Sequence, residues 1–264
     1  MMIPQEVIQA VCSFASGEDR FADLGTNAVE KTYKWSIPQS AEALVGPLEG
    51  GSLFARTLDL KRKLWALWLS DPNQREKITE FIVADWGGVR GNREATLKRH
   101  RERAEGADHS APFAGVSSYS KILSLVDPER YAILDARVVV ALNAIQVLAG
   151  TSDGLAFPYI AGRNNITGNQ RKKRGFAMCP RYSVGTLVQV RGWQRVERPR
   201  AYHVYTDLLC RCRAQSSAVP SLFQLEMALF SQAEALALRV EPTLKSQACQ
   251  ASQRKTSSFD AKFP

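Results

Sequence analysis

The sequence predicts a mostly α fold on three observations. Apolar residues return at helical spacing in several segments, Gly and Pro punctuate those segments frequently, and the composition supplies enough apolar material for a full core. The chain has 264 residues, 45% of them hydrophobic and 23% charged, which supports one or two domains and excludes disorder or a collagen-like fibre for most of it. Internal repeats and long low-complexity tracts are absent.

Taken in order, residues 58–68 place Leu60, Leu64, Leu67 and Trp68 at helical spacing. After Asp71-Pro72-Asn73 a second helix carries Ile78, Phe81, Ile82 and Trp86, and Gly87-Gly88 ends it. Residues 90–105 mix charges of both signs, as an exposed helix does, and stop near Gly106. A short helix over 120–126 is closed by Asp127-Pro128, and Tyr131-Ala132-Ile133-Leu134 is an apolar link. Over 136–149 only Arg137, Asn143 and Gln146 are strongly polar, so this helix is expected to run through the core, with Asp135 as its N-cap and Gly150 at its end. A loop-rich basic region follows. The stretch 183–190 reads equally as strand or helix, and 202–213 reads as helix. Ser221 and Gln224 stand at capping-box spacing ahead of a final helix bearing Leu222, Leu225, Leu229, Ala233 and Leu236 on one face. The expected organisation is an N-terminal helical part over 1–110, a second part over 111–240 and a disordered tail over 241–264.

Charge is segregated. Between residues 162 and 213 twelve basic side chains face two acidic ones, a net of +10, whereas the whole chain carries only +9. Cations gathered on one surface attract phosphates and release counterions, which makes double-stranded DNA the first partner to consider, with Arg163, Asn164, Arg171, Lys172, Lys173 and Arg174 as contacts. A merely solvated basic face and a basic surface for an acidic protein are the competing readings. No apolar run approaches the roughly 18 to 20 residues that span a bilayer, and no signal core follows the start, so a soluble cytoplasmic protein without membrane contact is expected. Five cysteines make an odd count, and Cys210-x-Cys212 lacks zinc-site spacing, so neither a disulfide framework, a metal nor a cofactor is expected. No phosphate loop, nucleophile elbow or H-E-x-x-H motif is present.

The segment Gly115-Val116-Ser117-Ser118-Tyr119-Ser120-Lys121-Ile122-Leu123, with Ile133-Leu134-Asp135-Ala136-Arg137-Val138 after it, resembles the helix-hairpin-helix DNA glycosylases, in particular the bacterial proteins similar to 8-oxoguanine DNA glycosylase. The resemblance covers about residues 113–150. It implies a helical glycosylase-like bundle with a hairpin element and a long basic loop region. It places Lys121 at the start of the second hairpin helix and Asp135 at the mouth of the next helix, while Ser117, Ser118 and Tyr119 fill the DNA-contacting turn where the family carries Gly-x-Gly.

The chemistry of the pair agrees with that resemblance. Breaking an N-glycosidic bond builds positive charge on the sugar, which a fixed carboxylate at Asp135 would stabilise. Lys121 would attack C1′, provided its amine sheds its proton, and the resulting Schiff base would permit strand cleavage. The bland alternatives are a plain N-cap for Asp135 and a surface lysine lying along apolar neighbours for Lys121. Base chemistry also needs an extruded base held against aromatic faces. Trp65, Trp68 and Trp86 are assigned to the core, whereas Phe157 and Trp193, beside the basic loops, are the better wedge candidates among Tyr119, Tyr159 and Phe176. The functional expectation is therefore a DNA glycosylase, with or without lyase activity, excising a damaged base such as 8-oxoguanine. The alternative is a non-catalytic nucleic-acid-binding protein of the same architecture, in repair or in defence against phage.

Overall fold

The computed structural model describes residues 2–106 and 113–244. Helix α1 (Gln5–Ser16) is stopped by Gly17, whose φ of 72° is the left-handed geometry that releases the last carbonyls. Two short helices, α2 (Val29–Thr32) and α3 (Ser40–Val45), lead to α4 (Leu53–Ser70), which starts where Ser52 Oγ accepts from Ala55 N. Helix α5 (Arg75–Glu80) runs straight into a π-helical turn, Phe81–Asp85, that delivers Trp86 and Gly87. Helices α6 (Glu94–Glu105) and α7 (Val116–Val126) then pack side by side.

Helix α8 (Ala136–Ala149) is the centre of the molecule, buried from Val138 through Gln146. Its two interior amides are fully used. Asn143 exchanges hydrogen bonds with both backbone groups of Phe157, and Gln146 does the same with Leu155, so each polar group is satisfied while it holds the strand that follows. Strand β1 (Leu155–Ala156) is that strand. The basic region forms a two-stranded hairpin from β2 (Arg163–Asn164) and β3 (Gly168–Asn169), and α9 (Val184–Arg191) precedes β4 (Gln194–Arg195), which pairs in parallel with β1. Helices α10 (Ala201–Gln215) and α11 (Leu222–Val240) close the fold, and α11 against α8 is the most extensive helix contact.

The mostly helical class expected from the sequence is what the structure has. Its details differ in places. The short helix expected from residue 120 begins at Val116, because Gly115, at φ 81°, is the break, so Ser117, Ser118 and Tyr119 are helical rather than a turn. The ambiguous stretch at 183–190 is helical, capped by Ser183 Oγ. Trp65, assigned to the core, is 37% exposed, whereas Phe157 and Trp193 are buried. Trp193 donates to Thr151 O and lies flat on Gly154, where a Cβ would come within 2.5 Å of the indole. One continuous apolar core takes residues from before and after position 110, and the boundary placed there lies outside the described residues. Within the expected tail, Glu241 and Leu244 are buried against the body, and residues from 245 onward are outside the described part.

Candidate active site

The apolar link before α8 is held by two helices, α10 and α7. Tyr202 and Tyr205 of α10 donate their hydroxyls to the carbonyls of Ala132 and Ile133. From α7, Ser120 Oγ accepts from Leu134 N at 3.0 Å and donates back to Leu134 O at 3.4 Å. The residues next in sequence, Lys121 and Asp135, are thereby fixed relative to one another.

Both line a single pocket of about 370 Å³. Its walls are aromatic: Tyr33 and Trp35 from the segment after α2, Trp86 from the end of the π turn, and Phe230 from α11. Trp35 meets Phe230 edge to face at 5.4 Å and donates its indole N–H to Trp86 O at 2.8 Å, which ties two walls together. Gly87 forms part of the floor. A Cβ there would lie 2.6 Å from Lys121 Cε and 2.4 Å from Ile82 O, so the absence of a side chain is what leaves room for the lysine stem.

Asp135 is the N-cap of α8, and both capping bonds, from Arg137 N at 2.9 Å and Val138 N at 3.0 Å, fall on Oδ1. Oδ2 takes no part in the capping, and the side chain faces the pocket. Capping and lining are therefore not exclusive readings of this residue. Lys121 is only 6% exposed, which corrects the reading of it as a surface lysine. Its Nζ donates to Ser117 O at 2.6 Å. Burial pushes the amine below the ordinary lysine range, with Lys61 adding to that effect while the carboxylates of Asp135 and Glu226 oppose it.

Glu226, whose spacing in the sequence does not demand catalysis, is nevertheless a pocket group, and its partner Lys61 stands behind it. Glu226 of α11 is buried, lines the pocket, and forms an ion pair at 2.5 Å with Lys61 of α4, itself 1% exposed. Burial pushes the Glu226 carboxyl up and Lys61 pulls it back down. Each of these residues sits on an otherwise apolar helical face, Lys61 between Leu60 and Leu64 and Glu226 between Leu225 and Leu229. A charge in an apolar stripe is the signal that could have found them.

The pocket opens toward the basic region. A neighbouring groove of about 710 Å³ shares Trp35, Asp135 and Phe230 with it and adds Arg137, Arg163, Asn164 and Thr167. Arg137 lies 5.0 Å over the Phe230 ring and pairs with Glu234 at 3.2 Å. Asn164 is committed to the fold, since its Oδ1 accepts from Ile166 N and Thr167 N and its Nδ2 donates to Glu234. Arg163, Arg171, Lys172 and Lys173 are exposed, and Arg174 is half-buried. Of these only Arg163 lines the groove; Arg171, Lys172 and Lys173 lie in the turn after β3 that the Asn169–Arg174 bridge closes. Ser118 and Tyr119 are buried, so their side chains pack inside rather than present themselves to a nucleic acid, and Ser117 is half-buried with its carbonyl engaged by Lys121. Among the described residues no group of three His, Cys, Asp or Glu side chains is placed to hold a metal ion, and no helix is long and apolar enough to cross a membrane.

Compared with models of known families, with curated proteins and with solved structures, the chain matches none.

Proposed function

We propose that this chain is a DNA glycosylase that breaks the N-glycosidic bond of a nucleotide turned out of the duplex into the aromatic pocket. The observation that carries the reading is that the Lys121 amine and the Asp135 carboxylate line the same pocket. The bond between C1′ and the base breaks, the base leaves with the electron pair and takes up a proton, and Asp135 stabilises the cation left on the sugar. The unprotonated Lys121 amine bonds to C1′, and a proton passes from its nitrogen to O4′ as the C1′–O4′ bond breaks, giving a ring-opened protonated imine. Loss of a C2′ proton then expels the 3′-phosphate, which is the strand-cleaving step. Dry aromatic walls strengthen the electrostatics and offer faces on which the base stacks.

Duplexes carrying 8-oxoguanine, uracil or a preformed abasic site test the reading. Release of free base from one of them, abolished in Asp135→Asn and Lys121→Gln while both variants still bind the duplex, is the expected result. Binding without base release or strand scission from any of the three would leave a DNA-binding protein of similar architecture. Failure to bind at physiological salt would leave a basic surface for an acidic protein.

A further inference from the structure

A lysine and a glutamate buried together are expensive to desolvate, and an apolar pair of the same size often serves stability equally well. Lys61 and Glu226 are nevertheless among the most enclosed charged groups in the fold, at 1% and 4% exposure. Their location gives them a use. Glu226 faces the pocket, and Lys61 stands behind it, with its ammonium 2.5 Å from the carboxylate, 4.5 Å from the centre of the Phe223 ring and 5.8 Å from that of Trp86. Lys61 is not itself part of the lining; Glu226 and Trp86 are.

The charged groups that act on Lys121 are therefore Glu226 from α11, Asp135 from the start of α8 and, one layer back, Lys61 from α4, with Tyr33 also in the lining. An unneutralised Glu226 would hold a proton on Lys121 as a direct ion-pair partner. We infer that Lys61 is a positioning residue which occupies Glu226 in a buried ion pair and so leaves the Lys121 amine free to act as the nucleophile of the pocket. The sign of each influence on Lys121 agrees, since the two carboxylates favour its charged form and Lys61 opposes it. Trp86, against whose ring Lys61 lies, is also a wall of the pocket, and the π turn that leads into Trp86 also leads to Gly87 beside the lysine stem.

The inference rests on the reading of Lys121 as a nucleophile, but its test does not need DNA. The full-length protein is reductively methylated with formaldehyde and borohydride over a range of pH, and the labelling of Lys121 is followed by peptide mass spectrometry against exposed Lys98 as an internal reference. In Lys61→Met the labelling of Lys121 at neutral pH is expected to fall about tenfold, with the profile displaced to higher pH, as an uncompensated neighbouring anion requires. In Glu226→Gln the displacement is to lower pH, and in the double variant, with both charges gone, the profile returns toward that of the parent. A merely structural role for the pair would not give shifts of opposite sign. If Lys61→Met does not fold, the Glu226→Gln and double-variant profiles carry the test on their own.

A Lys121 profile unmoved in Lys61→Met, or moved in the same direction by Lys61→Met and Glu226→Gln, overturns the inference. The glycosylase reading is separated by a second arm, borohydride trapping on abasic DNA. Opposite shifts in labelling without any trapped complex would keep the electrostatic arrangement and remove the DNA chemistry. A trapped complex with no shift in labelling would do the reverse.

Discussion

Ser120 and Leu134 hold each other by a reciprocal pair of hydrogen bonds, the serine hydroxyl accepting from the Leu134 amide at 3.0 Å and donating to its carbonyl at 3.4 Å. Fourteen residues separate them, and both are fully buried. The residues on their C-terminal sides, Lys121 and Asp135, both line the pocket. A single buried hydroxyl thus sets the register between the helix that carries the amine and the cap that carries the carboxylate.

Ser120→Ala leaves a buried backbone amide without its acceptor, which destabilises by about 1–3 kcal/mol. Urea denaturation reads this as a lower midpoint at unchanged slope. Trapping on abasic DNA should fall as well, because the amine and the carboxylate lose their common tether. An unchanged midpoint would mean that the link is held by Tyr202 and Tyr205 alone.

Gly87→Ala drives a Cβ against Ile82 O and the Lys121 stem, at 2.4 Å and 2.6 Å before any relaxation. The backbone oxygen cannot yield cheaply, so a loss of about 1–3 kcal/mol is expected. The amine should also be displaced, giving a drop in Lys121 labelling larger than the drop at Lys98. Equal labelling of the two would show that the stem has room to spare.

His100 gives the fold an acid sensitivity. It is 6% exposed on α6, its ring lies 5.8 Å from that of Tyr119, and neither ring nitrogen has a hydrogen-bond partner among the described residues. Burial, followed by Arg103 and Arg99, holds the imidazole below its ordinary value of 6.5. A depressed folded value means stability that is present above about pH 6.5 and lost as pH falls through the folded value. His100→Phe should therefore flatten the decline in unfolding temperature between neutral and mildly acidic pH. A decline of the parent's steepness in the variant would assign the acid loss to another group.

Arg171, Lys172 and Lys173 are exposed in the turn after β3, and Arg163 borders the groove that includes Asp135. Neutralising the first three should reduce the slope of log affinity against log salt by up to about 3, since each phosphate contact contributes about 0.9. Arg163→Ala should change the slope by about one contact and also slow trapping, because it lines the groove that includes Asp135. An unchanged slope in the triple variant would place the DNA path elsewhere on the surface.

Much of this arrangement was legible in local sequence. The apolar run over 136–149, its Asp135 cap and the final helix behind Ser221 are set by neighbours within a few residues, and the structure has all three. Lys121 and Asp135 stand out in the sequence through the resemblance of residues 113–150 to helix-hairpin-helix glycosylases, not through their spacing. What was not legible depends on residues far apart in the chain. Lys61 and Glu226 are 165 positions apart, and nothing near either predicts the other. Trp193 reads as a loop aromatic until Gly154 and Thr151 are brought beneath it. Tyr119 reads as part of a turn because the left-handed Gly115, which starts the helix earlier, looks like any other glycine in a loop.

The most direct measurement of the central claim is borohydride trapping of the protein on an abasic duplex, followed by mapping of the modified peptide. The account predicts a covalent complex whose adduct lies on Lys121, lost in Lys121→Gln and strongly slowed in Asp135→Asn. An adduct on any other lysine, or a complex that persists undiminished in Lys121→Gln, would contradict it.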